Sequence, residues 1–181
     1  MKRTETQIPG VTLLQSEVFR DHRGSFQELF NERALRDAGI DTVWKQDNLS
    51  VSHKSVVRGL HYQLLHRQAK LVQVINGAIF DVAVDLRRSS PTFGRHVCFE
   101  LRAGDGKALL IHGSCAHGFA ATEPNTAVLY KVDNYYSPDA ERAILWNDPA
   151  LAIQWPLTPD EAILSQKDLQ GKLLLQAEVF D

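Results

Sequence analysis

Cysteine is scarce in this chain. Cys98 and Cys115 are the only two among 181 residues, too few to build a disulfide scaffold. Cys115 stands close to His112 and His117, but that spacing fits no common zinc pattern, and no His-x-His pair occurs in the sequence. No bound metal is expected. Long apolar runs are missing too. None approaches eighteen residues, so no membrane-spanning helix is expected. Charge of one sign is also lacking. Lys and Arg number 20 against 22 Asp and Glu, a net charge of -2, and the basic residues are scattered. That argues against a nucleic-acid-binding face. Lys2, Arg3 and Glu5 are followed by no apolar stretch of the signal-peptide kind. A cytoplasmic protein with reduced thiols is the expectation. Repeats, low-complexity segments and linkers are absent, so residues 1–181 read as a single domain.

What is present is a chain with 44% hydrophobic and 23% charged residues, enough to fold around a sizeable core. Short apolar runs alternate with turn signals. Strands are expected at Gly10–Leu14 and Val18–Phe19, then a polar turn over Asp21–Ser25, then a strand over Phe26–Phe30. Asn31 reads as the cap of a short helix, Glu32 to Ala38, that Gly39 ends. Trp44–Ser52 carries too many polar side chains for a core strand, so several should face a cavity or its rim. Asn76-Gly77 between two apolar runs reads as a hairpin turn, returning as a strand from Ala78 to Leu86. Further strands are expected at Val97–Leu101, Ala108–Ile111, His117–Ala121 and Thr126–Val132. Regular spacing of this kind points to an all-β sandwich or barrel. Beyond Tyr136 prolines break the pattern. Thr158-Pro159-Asp160-Glu161 has the form of a capping box, which places a short C-terminal helix there.

One stretch concentrates reactive side chains. Arg58-Gly59-Leu60-His61-Tyr62-Gln63 and the nearby Lys70 bring together a guanidinium, an imidazole, a phenol and an ammonium. Both lie at or within expected strands, where polar groups face a cavity more often than bulk water. His61 suits a general base and Lys70 a cation that stabilises developing negative charge. The structural alternative is a histidine satisfied in the core and a lysine snorkelling from an edge strand.

Taken together, these blocks resemble the dTDP-4-dehydrorhamnose 3,5-epimerases of deoxysugar nucleotide biosynthesis. The resemblance runs from Asp21-His22-Arg23-Gly24-Ser25-Phe26 to Leu164-Ser165-Gln166-Lys167-Asp168. Between them lie Gln46-Asp47-Asn48-Leu49-Ser50, Arg58–Gln63, Lys70-Leu71-Val72, Phe80–Asp85, Ser90–Gly94, Ala116-His117-Gly118-Phe119 and Trp146–Pro149. Each block alone is weak, and their order makes the signal. The resemblance implies a cupin-type jelly-roll barrel, a homodimer with exchanged N-terminal strands, and no cofactor.

The resemblance also implies a reaction, the inversion of C3 and C5 in a 4-keto-6-deoxy sugar carried on thymidine diphosphate. A hydrogen beside a ketone is acidic because its conjugate base is an enolate. A base, an acid on the other face and a cation at the ketone oxygen are the minimum equipment. By resemblance His61 is the base and Asp168 the carboxylate that orients it. Lys70 faces the enolate oxygen, and Tyr130 is the opposing acid. Asp81 is a candidate to hold Lys70. Arg23, Phe26, Glu28, Gln46, Asn48, Arg58, His117, Tyr136, Glu141 and Lys167 match positions that bind the nucleotide sugar. Among these Arg23, Arg58 and Lys167 would neutralise the diphosphate, and Tyr136 would stack on thymine. Singly, Glu28, Glu141, Gln46 and Asp168 read as solvated surface residues. Alternatives that stay open are inversion of C3 or C5 alone, a 3,4-ketoisomerase, a barrel that only binds a nucleotide sugar, and a metal-dependent cupin oxygenase.

Overall fold

A computed structural model describes all residues from Met1 to Asp181. The chain opens with strands β1 (Lys2–Glu5), β2 (Val11–Gln15), β3 (Val18–Asp21) and β4 (Gly24–Gln27), then helix α1 (Glu32–Asp37). Eight further strands follow: β5 (Gln46–Ser52), β6 (Val57–Gln63), β7 (Lys70–Asn76), β8 (Ala78–Asp85), β9 (His96–Arg102), β10 (Lys107–Ile111), β11 (Cys115–Ala121) and β12 (Thr126–Val132). A short β13 (Glu141–Ala143) and helix α2 (Gln166–Leu169) complete the regular elements. No helix is long and apolar enough to cross a membrane.

The strands form a six-stranded sheet, β1-β2-β10-β7-β12-β5, and a five-stranded sheet, β13-β6-β11-β8-β9. All named pairings within them are antiparallel. The architecture is the expected cupin-type jelly roll. Val72, Val74, Ile79, Ala83, Leu101, Leu109, Ile111, Phe119 and Val128 share the larger core cluster, contributed from both sheets. A second cluster joins Leu60, Val82, Val84 and Leu86 to Leu174, Ala177 and Phe180 of the C-terminal segment. That segment therefore covers the outer face of the smaller sheet. Burying one such aliphatic side chain contributes about 1.5–3 kcal/mol, and the antiparallel backbone ladders fix the register of the walls.

Three expectations need correction. Asn76-Gly77 is not a hairpin turn, because β7 lies in the six-stranded sheet and β8 in the five-stranded one. The pair is a corner where the chain changes sheet. Gly77 alone takes positive φ, at 74°, and a Cβ there would meet Thr126 Oγ1 at 2.5 Å. The strand expected over Phe26–Phe30 starts earlier and ends at Gln27, paired with β3 in a small separate hairpin. No helix starts at Thr158. Glu161 there accepts from the Thr158 N–H and hydroxyl, at 2.8 and 3.0 Å, and closes only a turn. The next residues are drawn into strand-like pairing by Ile163, which bonds Ser55 and Val57. The helix forms further on, capped by Ser165. Asn31 does cap α1, accepting from the Ala34 N–H at 3.0 Å.

Candidate active site

Strand β5 shows how the cavity wall arises. Its side chains alternate: Gln46, Asn48, Ser50 and Ser52 turn inward, while Asp47, Leu49 and Val51 are exposed. Tyr130 stands opposite Asn48 on the neighbouring strand β12. Simple alternation would place Arg58 and His61 on opposite faces of β6, since they are three residues apart. A bulge intervenes. His61 pairs with His117 and Arg58 with Phe119, so three steps on β6 match two on β11. Both Arg58 and His61 consequently line the same cavity. The two backbones touch at this point. A Cβ on Gly59 would lie 2.6 Å from the Gly118 Cα, and one on Gly118 would lie 2.6 Å from the Arg58 carbonyl.

His61 Nε2 lies 2.6 Å from Asp168 Oδ1. Asp168 is itself fixed on every side. The Gly59 N–H donates to Oδ1 at 3.1 Å and the Ser165 hydroxyl to Oδ2 at 2.6 Å, while the capping box of α2 adds the Ser165 N–H to Oδ2 at 3.4 Å and the Asp168 N–H to Ser165 Oγ at 3.2 Å. Burial disfavours the charge on this carboxylate, but the bonds from His61, Ser165 and Gly59 outweigh it and hold Asp168 at about 2. With Nε2 engaged, Nδ1 is the ring nitrogen left for chemistry. Asp168 fixes tautomer and ring orientation together.

Lys70 reaches in from the start of β7. Its only hydrogen bond within the chain is to the His61 carbonyl at 3.5 Å. Burial lowers its pKa to about 8, against the pull of Asp81, Glu141 and Cys115. Asp81 does not bond Lys70, contrary to the expectation; it acts on the ammonium through space. Its direct partner is His117, whose Nε2 lies 2.7 Å from Asp81 Oδ1, while Oδ2 is buried without a partner. Burial pushes His117 down despite Asp81, favouring the neutral ring. The Tyr130 phenol has no protein partner, and burial raises it, with Arg58 opposing and Glu141 adding.

Two adjoining cavities, of about 230 and 270 Å³, share His61, Lys70 and Tyr130 as common walls. The first is lined further by Gln46, Asn48, Tyr136 and Glu141. The second adds Arg58, His117, Lys167 and Asp168. Arg58 is steadied by Ser52 Oγ at 3.0 Å and the Val51 carbonyl at 3.3 Å. Gln46 donates to Asn48 at 2.7 Å. Glu141 accepts from the Tyr136 hydroxyl at 2.5 Å and pairs with Lys167. These expected residues therefore meet at one place, although up to 122 positions separate Gln46 from Asp168 in sequence (168 − 46).

Arg23, Phe26 and Glu28 do not join them. Arg23 pairs with Asp21 at 2.5 Å, Phe26 is 68% exposed, and Glu28 is exposed. Arg23 and Phe26 line a surface concavity of about 480 Å³ on the β3–β4 hairpin, which includes none of His61, Lys70, Tyr130 and Asp168. Sequence reading did not assign Ser50, Phe119 and Ser165 of the second cavity, nor Tyr62, Gln63 and Gln68 of the first, to the site. Ser50 was accessible by alternation from Gln46 and Asn48, and Ser165 from its capping-box spacing to Asp168. Phe119 carries no such signal. No group of three or more His, Cys, Asp or Glu side chains is placed to hold a metal ion.

Fold and site define a class: a cupin-type jelly roll whose interior cavity combines a carboxylate-oriented imidazole, a buried ammonium and an unpartnered phenol. Such a set moves protons on and off carbon beside a group that becomes anionic. Comparison narrows the class. The family model described as dTDP-4-dehydrorhamnose 3,5-epimerase matches residues 5–176, and the chain belongs to that family. It is similar to the dTDP-4-dehydrorhamnose 3,5-epimerase of Pseudomonas aeruginosa, 46% identical over 181 residues and 99% of each chain. Among solved structures it is similar to the Legionella pneumophila 3,5-epimerase in complex with dTDP-4-keto-L-rhamnose. That match has a TM-score of 0.93 and 40% identity, covering 98% of this chain and 94% of that one. A 3'-monoepimerase from Streptomyces bikiniensis in complex with dTDP-quinovose matches at TM-score 0.88 and 32% identity, over 94% of this chain and 86% of that one.

Proposed function

We propose that this protein is an isomerase that inverts C3 and C5 of dTDP-4-dehydro-6-deoxy-D-glucose to give dTDP-4-dehydro-L-rhamnose. The observation that carries this reading is the meeting of His61–Asp168, Lys70 and Tyr130 on one cavity, in a chain matched end to end by 3,5-epimerases. Double inversion is favoured over single inversion because identity to curated 3,5-epimerases reaches 46%, against 32% to the monoepimerase.

In this reading His61 Nδ1 takes the proton from the carbon beside the ketone. The C–H electrons move toward C4 and its oxygen becomes an enolate. Lys70 donates to that oxygen, a contribution worth about 3 kcal/mol in the transition state. The Tyr130 hydroxyl then delivers a proton to the same carbon from the other face. Solvent takes the proton from His61 and restores the phenol. Arg58 and Lys167 take the diphosphate, Lys167 by exchanging Glu141 for phosphate oxygens. Tyr136 stacks on thymine, with Gln46, Asn48, His117 and Glu141 fixing polar groups of the ligand.

Arg23, Phe26 and Glu28 act, in this reading, in the cavity of a second copy. Phe19 and Phe26 are both exposed on the hairpin, and Leu49 and Val51 on the outer face of β5. An exchanged dimer would cover apolar surface of this kind and bring the missing arginine to the diphosphate. Mixing the inactive variants Arg23→Ala and His61→Ala should then restore activity to about a quarter of wild type, because each heterodimer regains one intact site of two. Activity staying at zero after subunit exchange would count against the shared site. A cytoplasmic setting fits the two unpaired thiols.

The test of the reaction is incubation with the 4-keto sugar nucleotide in D2O. Proton NMR should find deuterium at both C3 and C5 of the product, and His61→Ala should abolish uptake while remaining folded. Label at one carbon only would assign single inversion instead.

A further inference from the structure

The inner face of β5 carries four polar side chains in sequence, and three of them have partners. Gln46 and Asn48 bond each other at 2.7 Å. The Ser52 hydroxyl accepts from Arg58 Nε at 3.0 Å. Ser50, between them, has none: its Oγ is closed off from solvent and meets no donor or acceptor. An unsatisfied hydroxyl of this kind costs folding free energy, because unfolded it would be hydrogen-bonded to water. Yet the residue is not sealed in the core. It lines the cavity of about 270 Å³ together with Arg58, His61 and Tyr130. Its cross-strand neighbour is Val128, two residues from Tyr130 on the same strand, so Ser50 and the Tyr130 phenol share one wall.

A serine hydroxyl turns between staggered positions at little cost, and it both donates and accepts. That matches a sugar hydroxyl, which does the same. The phosphate oxygens already have Arg58 and Lys167, whose charge makes them the stronger partners for an anion. Ser50 also stands with the proton-transfer pair, where the reacting ring must lie. We propose that Ser50 is a hexose-binding residue, whose hydroxyl is left without a partner in the free protein and is satisfied by a hydroxyl of the bound sugar. This rests on the nucleotide-sugar reading above. It makes Ser50 a residue that trades stability for recognition of the hexose.

The test is Ser50→Ala, measured in two ways on the full-length protein. Calorimetric titration uses dTDP and dTDP-glucose as probes. The variant should bind dTDP-glucose about tenfold more weakly, the scale of one lost neutral hydrogen bond, and dTDP as well as wild type does. Thermal unfolding of the unliganded variant should occur at the same temperature as wild type or higher, since the substitution deletes an unsatisfied oxygen. Equal weakening toward both probes would move the contact to the diphosphate and overturn the proposal. Unchanged affinity for both would overturn it as well, and a lowered unfolding temperature would show that Ser50 is structural. Wild type binding neither probe would overturn the nucleotide-sugar reading itself, and this proposal with it.

Discussion

At the scale of the residue, charge and burial decide what each group can do. Asp168 holds two jobs, as the orienting partner of His61 and as a helix cap. Asp168→Asn keeps the shape but presents an amide where His61 needs a carboxylate. We expect kcat to fall by about 10²–10⁴ while KM changes little; a fall in affinity alone would contradict the orienting role. Lys70 is the other case. Its pKa near 8 places the loss of its charge within reach of a steady-state assay. Above that pH the ammonium is neutral and donates poorly to an oxyanion, so kcat should decline as pH rises through about 8. Stability should move the other way through this group. Between 8 and the unfolded value of 10.5 the unfolded chain binds more protons at Lys70 than the folded one, so stability increases with pH across that window. Lys70→Met should remove the alkaline limb and lower kcat by about 10²–10³.

At the scale of the element, the bulge between β6 and β11 places the two key side chains of β6. It exists because Gly59 and Gly118 let the strands approach too closely for any Cβ. Gly59 also has φ 117°, which adds strain to any substitution. Gly59→Ala should destabilise by at least about 2 kcal/mol, roughly 4–8 °C in Tm for a domain of this size. It should cost activity beyond that loss, because Arg58 and His61 would separate. Circular dichroism melts and assays well below Tm distinguish the two effects. This arrangement was only half legible in the sequence. The reactive cluster Arg58–Gln63 and Lys70 was visible, as was the polar face of β5. The bulge was not, since it depends on how β11 lies against β6, more than fifty residues away. Asn76-Gly77 misled for a related reason. Its chemistry specifies a tight turn, but nothing local says whether the flanking strands pair with each other or with strands of two different sheets. At Thr158 the local capping signal was real, and pairing of Ile163 with the chain at Ser55–Val57 overrode it. The Asp168 role could come only from resemblance, because its neighbours in sequence give no hint of His61.

At the scale of the whole molecule, a hydrophobic jelly roll carries a polar cavity whose buried carboxylates must stay ionised. Asp168 is held at about 2 by His61, Ser165 and Gly59 against the penalty of burial. Asp85, at the end of β8 and outside the cavity, is likewise about 2, where bonds from Arg87, Ser90 and Thr92 outweigh burial. Both have unfolded values of 3.8. Their depressed pKa values contribute stability that is complete above 3.8 and is lost as pH falls toward 2, on the order of 2 kcal/mol for Asp168. Acid unfolding monitored by tryptophan fluorescence should steepen in that window, and Asp168→Asn should flatten it. The same whole-molecule view explains why sequence and single-chain geometry diverge at Arg23, Phe26 and Glu28. Their positions match a ligand-binding pattern, but Arg23 and Phe26 lie on the separate β3–β4 hairpin and Glu28 just beyond it, and none of the three lines the cavity within one chain.

In the proposed reaction one side chain removes a proton and a different one returns it on the opposite face. Tyr130→Phe in D2O tests it most directly, with deuterium uptake and stereochemical outcome read in the same NMR experiment. We expect the variant to wash deuterium into the recovered 4-keto sugar, through His61, while forming almost no inverted product. Inverted product appearing at the wild-type rate would contradict the account, because the returning proton would then have another source.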